Sequence, residues 1–337
     1  MGLCSRSCAA SALLILFFIP ACQRPKGEVW KDSDPSYVPF PVQNLMVAPD
    51  NRFVGMTLEE KSDQPGTGTV RATYILDLKT GNHRRLGADL MLIPTVDHQF
   101  IAVQTDTSTE APGLINGLET IRTFDIGKHN GGFWNPGTRT AIFETGWPPS
   151  AEGFDTLTLV NLDSGSLTKV KTATAELTGA CRTTGHFYTE HHFENVVGAD
   201  EYDASGKFIG TLRSNLAVFS AGCKYVLPFI ALSLHGPDDW AIYDAQTHAI
   251  LGDFPWNEDG KSDLHWFQAW NPTDDNLLLM HSSSAATKTD TLDVYDVSRQ
   301  KVVKSWPDSA NASPTVWAGD GKGTVTVRDH HVVFDPL

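Results

Sequence analysis

Residues 185–195, GHFYTEHHFEN, bring together His186, Glu190, His191, His192 and Glu194, the densest run of ligand-type side chains in the chain. On a strand alternate side chains share a face. His186, Tyr188, Glu190 and His192 then point one way, and Phe187, His191 and Phe193 the other. Two imidazoles and a carboxylate on one face are what a zinc site with an open position uses, so His186, Glu190 and His192 form the candidate metal set. Same-face neighbours along a strand stand about 7 Å apart, and such a site needs help from an adjacent element. A polar strand facing a channel or solvent fits the same pattern and is the preferred reading.

Other chemistries have thinner support. HSSSAAT, from His281, offers serines near a histidine but no GxSxG elbow, and no catalytic residue is assigned. Asp253, Glu258, Asp259 and Asp263 crowd one acidic loop, which calcium would favour, but without EF-hand spacing; solvated loop charge is the simpler meaning. No cofactor is required by any of these residues. Trp134, Trp270 and Trp317 fall just before corresponding turns and are expected in the core, whereas Trp147 and Trp256 lie in loop-like context and could anchor a partner.

The N-terminus sets the compartment. Arg6 precedes an apolar run from Ala9 to Ala21 that is short for a membrane span and reads as a secretory signal over residues 1–21. Ile19, Pro20, Ala21 and Cys22 resemble a bacterial lipobox. That resemblance implies cleavage before Cys22, acylation of that cysteine (palmitate among the chains) and a membrane anchor. Gln23 at the next position leans towards the periplasmic face of the outer membrane. Residues 22–39 are polar and proline-bearing, as a tether is. An ordinary signal peptide or an uncleaved anchor is the alternative.

With 26 basic and 40 acidic residues the net charge is −14, and loss of Arg6 makes it one unit more negative. Nucleic acid and anionic head groups are disfavoured as partners of so acidic a body. Of the five cysteines, Cys22, Cys181 and Cys223 survive cleavage, and an oxidising compartment lets the last two pair.

The elements that must position these residues recur. A short strand ending in Asp or Asn closes at Asp77, Asp125, Asn161, Asp203, Asp244, Asp296 and Asp335, at intervals of roughly 36 to 52 residues, the length of one four-stranded unit. A strand, turn and strand precedes each, beginning near Leu45, Leu90, Gly131, Glu176, Leu216, Trp266 and Thr315. Pro, Gly, Asp and Asn at the turns supply the backbone angles that turns need.

These repeats resemble the β-propeller repeats of WD40-like, TolB-like and YVTN-type bacterial proteins over nearly the whole mature chain. The resemblance implies an all-β, seven-bladed β-propeller of four-stranded antiparallel blades over residues 40–337. The chain ends where the last blade's fourth strand should begin, so residues 28–40 are expected to supply that strand. Cys181 and Cys223 then occupy the same turn of adjacent blades. Corresponding turns lie on one face of the ring, and a disulfide between them competes with two buried thiols.

On this reading the chain is a monomeric binding or scaffolding module for a protein, glycan or small ligand, held at a membrane by its lipid. A lactonase-like hydrolase using the channel mouth and a structural envelope protein are the alternatives.

Overall fold

The computed structural model describes residues 34–61, 68–104, 111–145, 156–172, 176–192, 197–212, 216–228, 241–253, 264–284, 287–308 and 314–337. Every regular element among them is a strand, arranged in seven antiparallel sheets. The blades occupy residues 42–88, 90–123, 129–171, 177–212, 216–253, 264–308 and 316–336. Within each blade the strands follow one another in sequence order, each antiparallel to the next. First strands of blades 1 to 5 pack beside one another in turn, and the first strand of blade 1 lies next to that of blade 7. First strands therefore surround the axis, and fourth strands form the rim.

Alternation along each second strand explains why the sheets stack in a circle. Phe100 and Ala102 face blade 1, packing with Phe53, Ile75 and Leu92, while Ile101 and Val103 face blade 3 and meet Trp134, Ala141 and Phe143. Ile142 turns from blade 3 to blade 4, where it meets Leu177 and Phe187. Leu278 and Met280 face Tyr225 and Ile242 of blade 5, and Leu279 faces Trp317 of blade 7. Apolar side chains on both faces of one sheet cannot be hidden by that sheet, so each blade needs two neighbours.

The seventh interface closes the ring. Leu45, Val54, Met56 and Leu58 of blade 1 share a core with Val325, Val327 and Val332 of blade 7. Blade 7 has three strands of its own, and its outer edge receives the N-terminal segment. Tyr37 forms an antiparallel bridge with His331, the Val38 N–H donates to the His330 carbonyl at 2.7 Å, and the Val332 N–H donates to the Ser36 carbonyl at 2.9 Å. Ser36–Val38 lies within residues 28–40, the segment expected to complete this blade. Residues 28–33 lie outside the described residues, as do the signal segment and Cys22.

One repeat assignment is corrected. Asp125 follows the outer strand Glu119–Thr123 of blade 2, and the third strand of that blade is Gly113–Asn116. Asn116 is therefore the counterpart of Asp77 and Asn161. A two-residue hairpin, Gly117 and Leu118 with Gly117 at φ 60, shortens the blade, so that the outer strand stands where a third strand was expected.

Candidate functional site

His186 sits just before the second strand of blade 4, Phe187–His192. Pairing of Phe187 with Tyr202 and of Tyr188 with Glu201 shows the two faces directly. Phe187 and Tyr202 stack towards blade 3, and Tyr188 stacks on Phe219 of blade 5 with ring centroids 5.0 Å apart. His186 Nδ1 lies 2.8 Å from Glu201 Oε1, which also accepts from the Tyr188 hydroxyl at 3.1 Å. Burial pushes the Tyr188 phenol up, and the Glu201 carboxylate adds to the shift. Glu190 is buried further along the same face. The Tyr188 ring fills the space between His186 and Glu190, and Glu201 is the carboxylate His186 meets. The His192 side chain lies outside the described residues, and among those described no group of three or more His, Cys, Asp or Glu comes together as metal ligands.

His191 stands on the opposite face, 3.1 Å from Asp200. The acidic loop from Asp253 to Asp263 has no described side chain, and Trp147 and Trp256 are likewise outside the described residues. Trp134, Trp270 and Trp317 are buried between blades. Cys181 and Cys223 form a disulfide between blades 4 and 5, with Cα atoms 5.6 Å apart.

The turns between first and second strands form a belt around one end of the axis. Blade 1 donates from the Asp50 N–H to the Asp97 carbonyl of blade 2. Gly137 N–H of blade 3 reaches the Arg182 carbonyl of blade 4 at 3.2 Å, and the Asn135 amide reaches the Cys181 carbonyl at 3.3 Å. Thr183 donates to the Gly222 carbonyl, and the Gly222 N–H donates to Asp275 of blade 6. The Asn271 amide holds the Gly321 carbonyl of blade 7 at 2.8 Å, and the Gly319 N–H returns to Asn51 of blade 1 at 2.6 Å. A Cβ on Gly319 would overlap the Ala48 carbonyl, so blades 7 and 1 approach as closely as they do because that residue is glycine.

Counting from the residue whose N–H closes each of these turns, the next position is Pro49, Val96, Pro136, Arg182, Ala221, Pro272 or Gly319. Six of the seven are uncharged and small or apolar, and blade 4 places a guanidinium among them. Arg182 is exposed to solvent, yet enough protein surrounds it that desolvation lowers its pKa.

Most other described arginines are engaged. Arg52, Arg85, Arg139, Arg299 and Arg328 meet carboxylates, and Arg84 and Arg122 donate to backbone carbonyls of the next blade. Arg182 makes no ion pair or side-chain hydrogen bond among the described residues, a state it shares with Arg71 on blade 1. An unpaired guanidinium presents a planar fork to a carboxylate or phosphate. Motif reading passed over Arg182 because a lone arginine has no motif. Its signal is positional, visible once the seven turns are aligned and six of the seven places prove uncharged.

No family model matches the sequence, and no curated protein matches it either. Solved structures do. Hydrazine synthase of Kuenenia stuttgartiensis aligns with 92% of this chain and 99% of its own at 11% identity and a TM-score of 0.52. The β-propeller domain of the Trilobed protease from Pyrococcus furiosus, described as having an open velcro topology, covers 87% and 90% at 11% identity and a TM-score of 0.55. Tricorn protease reaches 0.51 at 14% identity, with 92% of this chain on 35% of that one. Identities of this size speak to architecture alone. By its own sheet order and by these likenesses, the chain is a seven-bladed β-propeller.

Proposed function

We propose that this chain is an exported, lipid-anchored propeller that works as a binding module, taking an anionic group at the axial mouth through Arg182. The observation that carries the reading is a guanidinium, unpaired among the described residues, at a turn position that is uncharged in the other six blades, in a chain whose overall charge is −14. The ligand class is a carboxylate or phosphate on a small molecule or at a peptide end. Interblade hydrogen bonds and the Cys181–Cys223 link hold the turns in place, so little ordering is left for binding to do. Cys22, the apolar segment before it and the polar stretch after it support delivery to the periplasmic side of a bacterial membrane.

Titration calorimetry of the mature chain with citrate and with inorganic phosphate tests the site. Arg182→Ala is expected to weaken binding by about tenfold or more, the loss of one charge-assisted pair, without moving the melting temperature, because the side chain holds nothing in place. Arg182→Lys should recover only part of it. Absence of binding by the unaltered chain, or equal binding by Arg182→Ala, overturns the assignment. Mass measurement of the N-terminal peptide tests the anchor independently.

A further inference from the structure

The net charge hides an uneven distribution. The fourth strands of blades 1 to 6 carry seven basic residues against three acidic ones, the reverse of the chain as a whole. On blades 3, 4 and 6 the exposed lysines of this rim are Lys169, Lys171, Lys207 and Lys301.

The same strands hold most of the exposed large apolar side chains. Phe208 and Ile209 stand at the start of the fourth strand of blade 4, Ile250 and Leu251 in blade 5, and Val302 and Val303 in blade 6. Each is between 42% and 51% exposed, so half of every side chain meets solvent. Leu167 opens the fourth strand of blade 3 in the same way.

Register explains the pairs. In blades 4, 5 and 6 the fourth strand has one residue more than its partner at this point, and the extra residues are Ile209, Leu251 and Val303. A bulge places two neighbouring residues opposite one, and both can turn outward. Because the bulge recurs at one register, the apolar pairs stand at the same height on consecutive blades. Bulges and lysines also keep an open sheet edge from pairing with other chains. Edge protection accounts for the lysines; it does not call for the paired apolar side chains at the bulges of blades 4, 5 and 6.

We propose that the rim of blades 3 to 6 lies against an anionic lipid surface, its aliphatic pairs entering the interface and its lysines meeting head-group phosphates. This rests on the membrane-anchored reading above. A second copy of the chain would set the same lysines against each other, whereas an anionic bilayer complements them. The rim is convex and strung over several blades, a shape suited to a broad surface and not to a groove. The chain leading from Cys22 joins the ring at the outer edge of blade 7, beside blade 6, so tether and rim are continuous. Apolar side chains among lysines are the composition of proteins that lie on membranes.

The test uses the mature chain with Cys22→Ser, which has no acylation site, in sedimentation with vesicles of phosphatidylcholine alone and of phosphatidylcholine mixed with phosphatidylglycerol. Binding to the mixed vesicles is expected, at least about tenfold stronger than to the neutral ones and lost at high salt. The pair Val302→Ser with Val303→Ser, and the pair Lys207→Glu with Lys301→Glu, should each weaken it by about tenfold while leaving the melting temperature unchanged. Equal sedimentation with both vesicle types, or variants that bind as the parent does, overturns the proposal. So does a rim that instead drives self-association, seen as a dimer that these variants make monomeric. An unacylated native Cys22 alongside a lipid-binding rim overturns the anchor and not the rim; an acylated Cys22 with an inert rim does the reverse.

Discussion

Asp77, Asn161, Asp203, Asp244 and Asp296 perform one task in five blades. Each stands at the end of a third strand, Asp203 just past it, and accepts hydrogen bonds from the following turn, as Asp77 does from the Lys79 N–H and Asn161 from the N–H groups of Asp163 and Ser164. Asp203, Asp244 and Asp296 hold Ser205, Thr247 and Arg299 in the same way. That is why an acidic or amide residue recurs at intervals of one blade. At Asp77 the pair with Arg52 pulls the carboxyl pKa to about 2, with the turn N–H adding to it. A depressed folded pKa means stability that is complete above the unfolded value, near 4, and is lost as pH falls through about 2. Asp77→Asn should cost about 1–2 kcal/mol at neutral pH, a figure held down by the solvent exposure of Arg52. The difference from the parent should vanish towards pH 2 in urea unfolding. A gap that persists at low pH would remove the charge from the explanation. Asn161 does the same capping work in blade 3 without a charge, and the carboxylate of that turn is Asp163, held low by its pair with Arg139.

At the scale of the element, register decides what a side chain can reach. Five first strands carry a bulge against their neighbours: those of blades 1, 3, 4, 5 and 6. Where the preceding blade has one, the buried indole of the next blade finds a carbonyl. Trp270 Nε1 donates to Val218 at 2.9 Å, and Trp317 Nε1 donates to Ala269 at 3.2 Å. The first strand of blade 2 pairs without a bulge, and Trp134 Nε1, which faces it, has no hydrogen-bond partner among the described residues. Trp270→Phe should therefore lower stability by about 1 kcal/mol more than Trp134→Phe, the value of one net hydrogen bond. Equal losses in thermal unfolding would count against the bond.

The same dependence on register explains what could be read beforehand. All seven strand-turn-strand openings were legible, because Pro, Gly, Asp and Asn mark their turns and alternating apolar residues mark their flanks. Asp125 misled because a hairpin of two residues moves the outer strand of blade 2 forward by a few positions. His186 and Glu190 do share a face, but the pattern could not show that Tyr188 would fill the space between them or that Glu201 would take the imidazole. Arg182 was invisible for a different reason: its meaning lies in six other turns, not in its neighbours.

At the scale of the whole molecule, the ring is fastened where its ends meet. Six interfaces join blades that are neighbours in sequence, and the seventh joins blade 1 to blade 7 through Leu45, Val54, Val325 and Val332. Over the same join lie the bridge from Tyr37 to His331 and the bonds from Val38 and Val332. Removing residues 28–38 should lower the melting temperature by several degrees, the scale of about 1 kcal/mol or more in a domain of this size. An unchanged melting temperature would mean that the first-to-last core closes the ring unaided.

Tyr37 can find His331 only after nearly all the chain has been made. The earliest stretch of the domain must wait, edge exposed, for the latest, and contacts so distant in sequence form slowly. Until those last residues are in place the folded blades can make only an open crescent, its first and last sheets uncovered. Any variant that delays the final two dozen residues should therefore burden the cell with crescents prone to aggregate, whatever it does to the finished circle.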